Sequence, residues 1–97
     1  MKSLQYIETE LKKHKQELVN NYHIKDIGIF GSYIRHEETE NSDVDIIVDF
    51  SKPIDLFSFI RMRNYVSEIV GLKADVVTKK GLHPRIAERI LKEAQYL

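Results

Sequence analysis

The sequence predicts an α/β (α+β) fold in which a small mixed β-sheet of about three to four strands is flanked by helices. Some stretches place apolar residues at helical spacing, and others alternate apolar and polar residues as strands do. Glycine, proline and polar residues separate these stretches. The predicted element order is α-β-α-β-α-β-α, and 97 residues with 42% hydrophobic content fit a single domain over residues 1–97.

In the first third of the chain the sequence predicts a helix, a strand and a short helical turn. Ser3 can cap the first helix. The apolar residues of this helix recur at steps of three, four and seven: Leu4, Ile7, Leu11, Leu18 and Tyr22. Ile24 to Phe30 follows as a strand. Gly31-Ser32 breaks this strand and opens a helical turn from Tyr33 to Glu37.

The remaining residues predict two more strands and two more helices. The segment from Asp43 to Phe50 is a strand with an alternating apolar face: Val44, Ile46, Val48 and Phe50. Asp55 can cap a helix that ends at Gly71. The predicted buried stripe of that helix is Leu56, Phe59, Ile60, Val66 and Ile69. Lys73 to Thr78 is the third strand, and Pro84 begins a last helix. Its inward residues are predicted to be Ile86, Ile90, Leu91 and Ala94.

The net charge is zero, with 15 basic and 15 acidic residues, but the charge is unevenly placed. Residues 1–25 carry +2, residues 26–58 carry −6 and residues 59–97 carry +4. Generic nucleic-acid binders are usually strongly basic, so we expect no direct nucleic-acid binding. The acidic middle segment instead suits divalent cations. The sequence has no cysteine and its histidines lack ligand-like spacing, so no zinc site is expected.

The N-terminal residues, Met1-Lys2-Ser3-Leu4-Gln5, enter an amphipathic pattern directly and lack the apolar block of a signal peptide. No apolar run in the sequence approaches the roughly 20 residues that a membrane span needs. We therefore expect a soluble, cytoplasmic protein that does not associate with membranes.

Asp43 and Asp45 are the first candidate catalytic residues. At positions i and i+2 of a strand they point to the same face, roughly 6–7 Å apart. That spacing lets two carboxylates converge on a pair of metal ions about 3.5–4 Å apart, as in two-metal phosphoryl transfer. An Asp-x-Asp pair alone is more often a solvated strand face. Asp49 lies roughly 13 Å from Asp45 along the strand, which is too far to share its metals.

Gly31 and Ser32 form a candidate phosphate-binding loop between a strand and a helical turn. Free backbone N–H groups and a hydroxyl at a helix start favour an anion, and glycine allows its close approach. Arg35, one turn later, can add a cation. A Gly-Ser after a strand is more often a plain turn, but here the Asp-x-Asp follows eleven to thirteen residues later on a neighbouring strand.

Asp75 lies inside a short apolar strand, where an acid is costly unless it is paired or binds a cation. A third carboxylate beside the Asp-x-Asp pair can complete a metal site and accept a proton from an attacking hydroxyl. A salt bridge or an exposed sheet position explains Asp75 equally well when it is considered alone. The three motifs together are far more specific than any one of them.

Three segments together resemble the minimal nucleotidyltransferases of the DNA polymerase β-like superfamily. They are Phe30-Gly31-Ser32-Tyr33-Ile34-Arg35, Ser42-Asp43-Val44-Asp45-Ile46-Ile47-Val48 and Ala74-Asp75-Val76-Val77. The stretch from Leu82 to Ala94 is also similar, so the resemblance covers nearly the whole chain. It implies the nucleotidyltransferase fold. It also implies transfer of a nucleoside monophosphate from a nucleoside triphosphate to a hydroxyl, with release of pyrophosphate.

The resemblance also implies roles for the three acids. Asp43 and Asp45 would bind two Mg²⁺ ions. Asp75 would share one of these metals and act as the base toward the acceptor hydroxyl. In-line attack at the α-phosphorus would then be catalysed mainly by positioning and by the charge of the metals.

The nucleotide site is implied in the same way. Gly31 and Ser32 would hold the triphosphate, with ATP as the expected substrate, and Arg35 and Ser42 would belong to the same site. His36 stands where a glycine often follows the arginine. This departure bears on the local loop shape and on nucleotide preference, because it lies outside the three acids.

As a stand-alone member of this size, the chain resembles the antitoxin half of paired HEPN and minimal-nucleotidyltransferase modules. The implied activity is adenylylation of a tyrosine on a HEPN-type RNase toxin, which neutralises that toxin. A non-catalytic module that silences its partner by docking alone is the alternative, and the presence of all three acids favours the enzyme. Transfer to a small molecule or to a nucleic-acid 3′ end is a third hypothesis. Such enzymes generally carry a further substrate domain.

Overall fold

A computed structural model of the chain describes residues 2–97, and Met1 lies outside the described residues. In chain order the elements are α1 (Leu4–Tyr22), β1 (Ile24–Phe30), α2 (Ser32–Arg35), β2 (Val44–Phe50), α3 (Leu56–Val70), β3 (Ala74–Thr78), a 3₁₀ turn (Lys79–Gly81), α4 (Pro84–Glu93) and β4 (Gln95–Tyr96). This order confirms the predicted mixed α/β fold. The prediction of a single domain over residues 1–97 stays a prediction.

The sheet has four strands in the order β3-β2-β1-β4. β1 pairs antiparallel with both β2 and β4, whereas β2 and β3 run parallel and are connected through α3. The sheet is therefore mixed. β4 was not predicted as a separate strand, because two residues are too few for an alternating pattern. Its strand geometry comes from pairing with Gly28 and Ile29 of β1.

Local capping signals place the ends of the two long helices. The Ser3 hydroxyl accepts a hydrogen bond from the backbone N–H of Tyr6, and the Asp55 carboxylate accepts one from Ser58. Gly71 ends α3 with a φ of 69°, the left-handed conformation in which glycine has no steric penalty. These caps lie where the sequence predicted them.

α1 and α3 pack against each other and against the sheet to form the core. The core residues that α1 supplies are Ile7, Leu11 and Leu18, and the central strands supply Ile27, Ile29, Val44, Ile46 and Val48. Ile47 is also buried, at 1% exposure, so β2 is covered on both faces and not only on the predicted one. Asp45 lies on the same face of β2 as Ile47, two residues before it.

Two predicted core residues are wrong. Leu56 is 70% exposed and Ile86 is 47% exposed. The buried residues of α3 are Met62, Val66, Ile69 and Val70, which lie from its middle to its C-terminal end. Leu56 lies in the first turn, ahead of the part that packs on the core. Helical periodicity identifies the apolar face of a helix, but not how far along that face its neighbours extend. Phe59, Ile60, Leu91 and Ala94 are partly buried.

None of the helices within residues 2–97 combines the length and the apolar character that crossing a membrane requires.

Candidate active site

One end of the sheet brings the predicted motifs together. β1 ends at Phe30, which pairs with Asp45 near the start of the antiparallel β2. β3 runs parallel to β2 and starts at the same end, so Asp45 pairs with Asp75. The loop that begins at Gly31 therefore lies beside both carboxylate-bearing strands. This convergence depends on the antiparallel pairing of β1 with β2 and the parallel pairing of β2 with β3.

Asp45 and Asp75 are register partners on adjacent strands, which lie about 4.8 Å apart. Asp45 is partly buried and Asp75 is exposed. Burial raises the pKa of Asp45 above its usual value, the charges of Asp75 and Asp43 raise it further, and Arg35 partly offsets them. The pKa of Asp45 is thus raised mainly because the carboxylate is partly buried, and further because the nearby acids repel its charge. A divalent cation is the natural counter-charge for such a set of oxygen donors.

Asp43 lies one residue before β2, so the strand begins one residue later than predicted. The backbone N–H of Val44 donates to the carbonyl of Lys73, which joins the starts of β2 and β3. The Lys73 ammonium lies 3.9 Å from an Asp43 carboxylate oxygen. Asp43 thus reaches the same end of the sheet as the paired acids, from a position just outside the strand.

Within residues 2–97 no group of three His, Cys, Asp or Glu side chains is arranged so that it could hold a metal ion. Asp43, Asp45 and Asp75 are nevertheless gathered at one end of the sheet, and their donors are all carboxylate oxygens, the type that Mg²⁺ prefers. The residues present therefore fit such an ion, and the metal-binding role of these three acids stays a prediction.

Gly31 adopts a φ of 79° and a ψ of −150°, a conformation that is essentially restricted to glycine. A Cβ atom at this position would overlap the Asp45 carboxylate. The turn therefore requires glycine for two reasons. The backbone conformation excludes other residues, and the nearby Asp45 carboxylate leaves no room for a side chain. The helical turn that follows is Ser32–Arg35, four residues long, and not the predicted Tyr33 to Glu37.

Glu93, near the end of α4, is the residue at this site that the sequence prediction missed. The Gly31 N–H donates to its Oε2 at 2.8 Å, and an Arg35 guanidinium nitrogen donates to its Oε1 at 2.8 Å. Burial raises the Glu93 pKa, but these hydrogen bonds and the Arg35 charge outweigh burial, so the pKa is lowered overall. The sequence predicted that the Gly31 N–H binds phosphate, but in the structure this N–H donates to the Glu93 carboxylate.

The position of Glu93 did carry a usable signal. Ile86, Ile90 and Glu93 follow one another at steps of four and three, so Glu93 shares the apolar face of α4. A carboxylate on such a face is costly unless it has a partner. Its side chain is 17% exposed, and Gly31 and Arg35 are the partners. The sequence indicates that a partner is needed, but not which residue supplies it.

Arg35 is held between two carboxylates. Its guanidinium contacts Glu93 and Glu37, each at 2.8 Å, and these hydrogen bonds raise its pKa. The next residue, His36, ends the turn with a φ of 59°. Glycine adopts that left-handed conformation without a steric penalty. Histidine adopts it less readily than glycine but more readily than a β-branched residue.

Ser42 has local contacts within its loop. Its hydroxyl accepts a hydrogen bond from the backbone N–H of Thr39 at 2.8 Å, and its own N–H donates to the Thr39 carbonyl at 3.0 Å. These bonds close the loop that leads into Asp43. The predicted part of Ser42 in nucleotide binding stays a prediction.

An open groove of about 430 Å³ lies next to two of the acids, on the side of β3 and α3. Its lining residues are Asp43, Arg63, Asn64, Ser67, Lys73, Ala74 and Asp75. The Ser67 hydroxyl accepts a 3.0 Å hydrogen bond from the Ala74 N–H, so it is engaged in joining α3 to β3. The polar groups that remain for a ligand include two cations, Arg63 and Lys73.

Comparison with known proteins agrees with this arrangement. The profile of the family described as nucleotidyltransferase domain matches residues 11–97. The protein adenylyltransferase MntA of Thermococcus cleftensis is 42% identical over 97 residues, which cover 100% of this chain and 98% of that protein.

Solved structures show the same fold. A structure described as a candidate minimal nucleotidyltransferase has a TM-score of 0.77 and 30% identity, over 94% of this chain and 95% of that one. A chain in the structure of tri-AMPylated Shewanella oneidensis HEPN toxin in complex with MNT antitoxin has a TM-score of 0.68 and 16% identity. That match covers 93% of this chain and 70% of that one, and at this identity it shows the fold alone.

Proposed function

This chain belongs to the nucleotidyltransferase domain family, and we propose that it transfers AMP from ATP to a hydroxyl of a HEPN-type toxin as that toxin's antitoxin. The observation that carries the proposal is the register pairing of Asp45 with Asp75 beside the Gly31-Ser32 turn. The T. cleftensis relative, named as a protein adenylyltransferase, supports AMP as the transferred group.

In this proposal Asp43, Asp45 and Asp75 hold two Mg²⁺ ions. When bound, these ions neutralise the charge that develops on the reacting phosphate oxygens. The Asp45 carboxylate is the most buried ligand and is positioned by a strand covered on both faces, so it orients the site. Asp75 is more exposed and lies nearer the edge of the sheet, where an acceptor can reach it.

The transfer step is an in-line displacement at the α-phosphorus. The acceptor oxygen forms a bond to this phosphorus as the bond to the β-phosphate bridging oxygen breaks, and pyrophosphate leaves. The proton of the acceptor hydroxyl passes to the Asp75 carboxylate. The Gly31 N–H already donates its hydrogen bond to Glu93. In this proposal Ser32 therefore makes the main contact with the triphosphate. Gly31 shapes the turn, and Arg35 contributes charge.

The acceptor in this proposal is a tyrosine of the partner toxin. The S. oneidensis complex contains a tri-AMPylated HEPN toxin bound to an MNT antitoxin, and this chain shares the fold of one chain of that complex. ATP and RNA-cleaving toxins are both present in the cytoplasm, so we place the activity there.

Docking without catalysis is the second candidate function. The observation that favours it is the pair of adjacent, strongly exposed apolar side chains, Leu56 at 70% and Phe57 at 73%. Exposed apolar side chains that lie next to each other favour contact with a protein partner. One chain can both dock to its partner and modify it. Substitution of the three acids separates the two functions, because it removes catalysis and leaves docking intact.

The test incubates the chain with α-labelled ATP, Mg²⁺ and a HEPN-type toxin whose gene neighbours its own. The expected result is label on the toxin with the wild-type chain and none with an Asp43→Asn/Asp45→Asn variant. Label that persists in this variant contradicts the mechanism. Tight binding of the toxin without any label favours docking alone.

A further inference from the structure

Backbone pairing places Glu93 beside Gly31, at the end of the sheet where the acids lie. β4 pairs antiparallel with β1, with Ile29 opposite Gln95. Continued by two residues along each strand, this register places Glu93 opposite Gly31. A backbone hydrogen bond from Leu97 anchors the chain after β4 to β1 as well. The position of Glu93 is therefore fixed by the sheet and does not depend on its side chain alone.

The Glu93 carboxylate uses both oxygens on the turn from Gly31 to Arg35. Oε2 accepts from the Gly31 N–H and Oε1 accepts from the Arg35 guanidinium, each at 2.8 Å. The Glu93 side chain is 17% exposed and that of Arg35 is 46% exposed, so the carboxylate is the more firmly held partner. A glutamine at position 93 has one acceptor oxygen and would turn N–H donors toward the other contact. Only a carboxylate satisfies both ends of the turn.

The turn that Glu93 holds lies close to Asp45. Phe30, the residue before Gly31, is the register partner of Asp45, and a Cβ atom on Gly31 would overlap the Asp45 carboxylate. A movement of the turn therefore changes its distance from the acids. In an active site, a displacement of about 1 Å can lower the rate by about a hundredfold. The bonds of Glu93 thus bear on how the two halves of the site are arranged.

We propose that Glu93 is a positioning residue, which holds the turn from Gly31 to Arg35 where the triphosphate of ATP requires it. The inference rests on the proposed function and adds a residue that lies outside the three motifs. Glu93 acts through Gly31 and Arg35 and touches neither ATP nor the acceptor. Its negative charge alone would repel a triphosphate. Positioning and charge therefore predict opposite effects of Glu93 on ATP binding.

The variant that tests the proposal is Glu93→Gln, compared with Glu88→Gln on the same helix. Both substitutions remove one negative charge from α4, and Glu88 is exposed and contacts Lys92. The measurement is the dissociation constant of a non-hydrolysable ATP analogue with Mg²⁺ and without toxin. We expect it to rise by about fivefold or more in Glu93→Gln, because the turn is no longer preorganised. In Glu88→Gln it should stay within about twofold of wild type.

Kinetics and a double variant provide readouts that a merely structural role would not change. For Glu93→Gln we expect kcat/KM for ATP to fall by about tenfold or more, while the KM for the HEPN-type toxin stays within about twofold of wild type. Because Glu93 acts through Arg35, Arg35→Gln combined with Glu93→Gln should lose less than the product of the two single losses. All measurements are made well below the melting temperature, so that every variant is folded.

Two results overturn the proposal while the proposed function stands. Tighter binding of the analogue in Glu93→Gln would show that Glu93 opposes ATP and does not position its site. Unchanged binding with a lowered melting temperature would leave Glu93 a purely structural role. If the wild-type chain binds the analogue but labels no toxin, the proposed function fails, and the binding constants still decide the role of Glu93. If the wild-type chain does not bind the analogue, both proposals fail.

Discussion

The backbone N–H of Gly31 donates a 2.8 Å hydrogen bond to Oε2 of Glu93, a residue 62 positions later in the chain. The same carboxylate binds Arg35 through its other oxygen, so α4 holds both ends of the short turn from Gly31 to Arg35. A Cβ added to Gly31 would meet the Asp45 carboxylate, so the turn and this acid lie close together. A change in Glu93 should therefore reach the acids through Gly31.

Replacement of Glu93 tests this connection. Glu93→Ala leaves the buried Gly31 N–H without an acceptor, and we expect a loss of about 1–3 kcal/mol in the free energy of unfolding. Glu93→Gln retains an acceptor oxygen and should lose less. Urea denaturation measures both variants. Glu88→Ala on the same helix is the control, since Glu88 is exposed and pairs only with Lys92. Equal losses in Glu93→Ala and Glu88→Ala would contradict the role of Glu93.

The lowered pKa of Glu93 also predicts a pH dependence. A carboxyl whose pKa is lower in the folded state stabilises the fold above its unfolded pKa, and this contribution disappears as the pH falls through the folded value. The stability difference between wild type and Glu93→Gln should thus be constant near neutral pH and shrink below the ordinary glutamate pKa of 4.5. Denaturation at a series of pH values measures it. Parallel stability curves for the two proteins would refute the prediction.

Neutralisation of Asp45 should separate stability from activity. Asp45→Asn removes a partly buried charge that Asp75 and Asp43 repel, so we expect unchanged or higher stability. Transfer of AMP should nevertheless fall by about a hundredfold or more, because the proposed metal site loses one of its carboxylates. Melting temperature and label transfer are the measurements. Asp49→Asn on the same strand is the control and should retain activity. An active Asp45→Asn variant would remove this residue from the mechanism.

Substitution of Gly31 tests the contact between the turn and the acid. Gly31→Ala places a Cβ against the Asp45 carboxylate at a φ of 79°, and we expect a loss of about 2 kcal/mol or more in stability as well as weaker ATP binding. Gly71→Ala is a control for positive φ only, because its ψ of 24° lies in the left-handed region and the ψ of −150° at Gly31 does not. Its φ of 69° is also positive, but its new Cβ would meet only the flexible Lys2 side chain. If both variants lose the same stability, backbone strain alone explains the effect, and contact with Asp45 contributes nothing.

Much of the local structure could be predicted because it depends on residues close together in the chain. The bounds of α1 and β1 agree with the predicted segments, and Ser3, Asp55 and Gly71 cap the helices as expected. Leu56 and Ile86 were wrongly assigned to the core. Periodicity reports which side of a helix is apolar, whereas exposure depends on whether another element covers that particular turn.

The sequence by itself determined the three motifs of the site, since the alternation around Asp45, the break at Gly31 and the apolar strand around Asp75 are local patterns. It also determined the order of the four helices and the first three strands. Only the tertiary structure decided that Asp45 and Asp75 are register partners and that Glu93 occupies the Gly31 N–H. Strand order and contacts across 62 residues depend on how the elements pack together, and no short-range pattern records that packing.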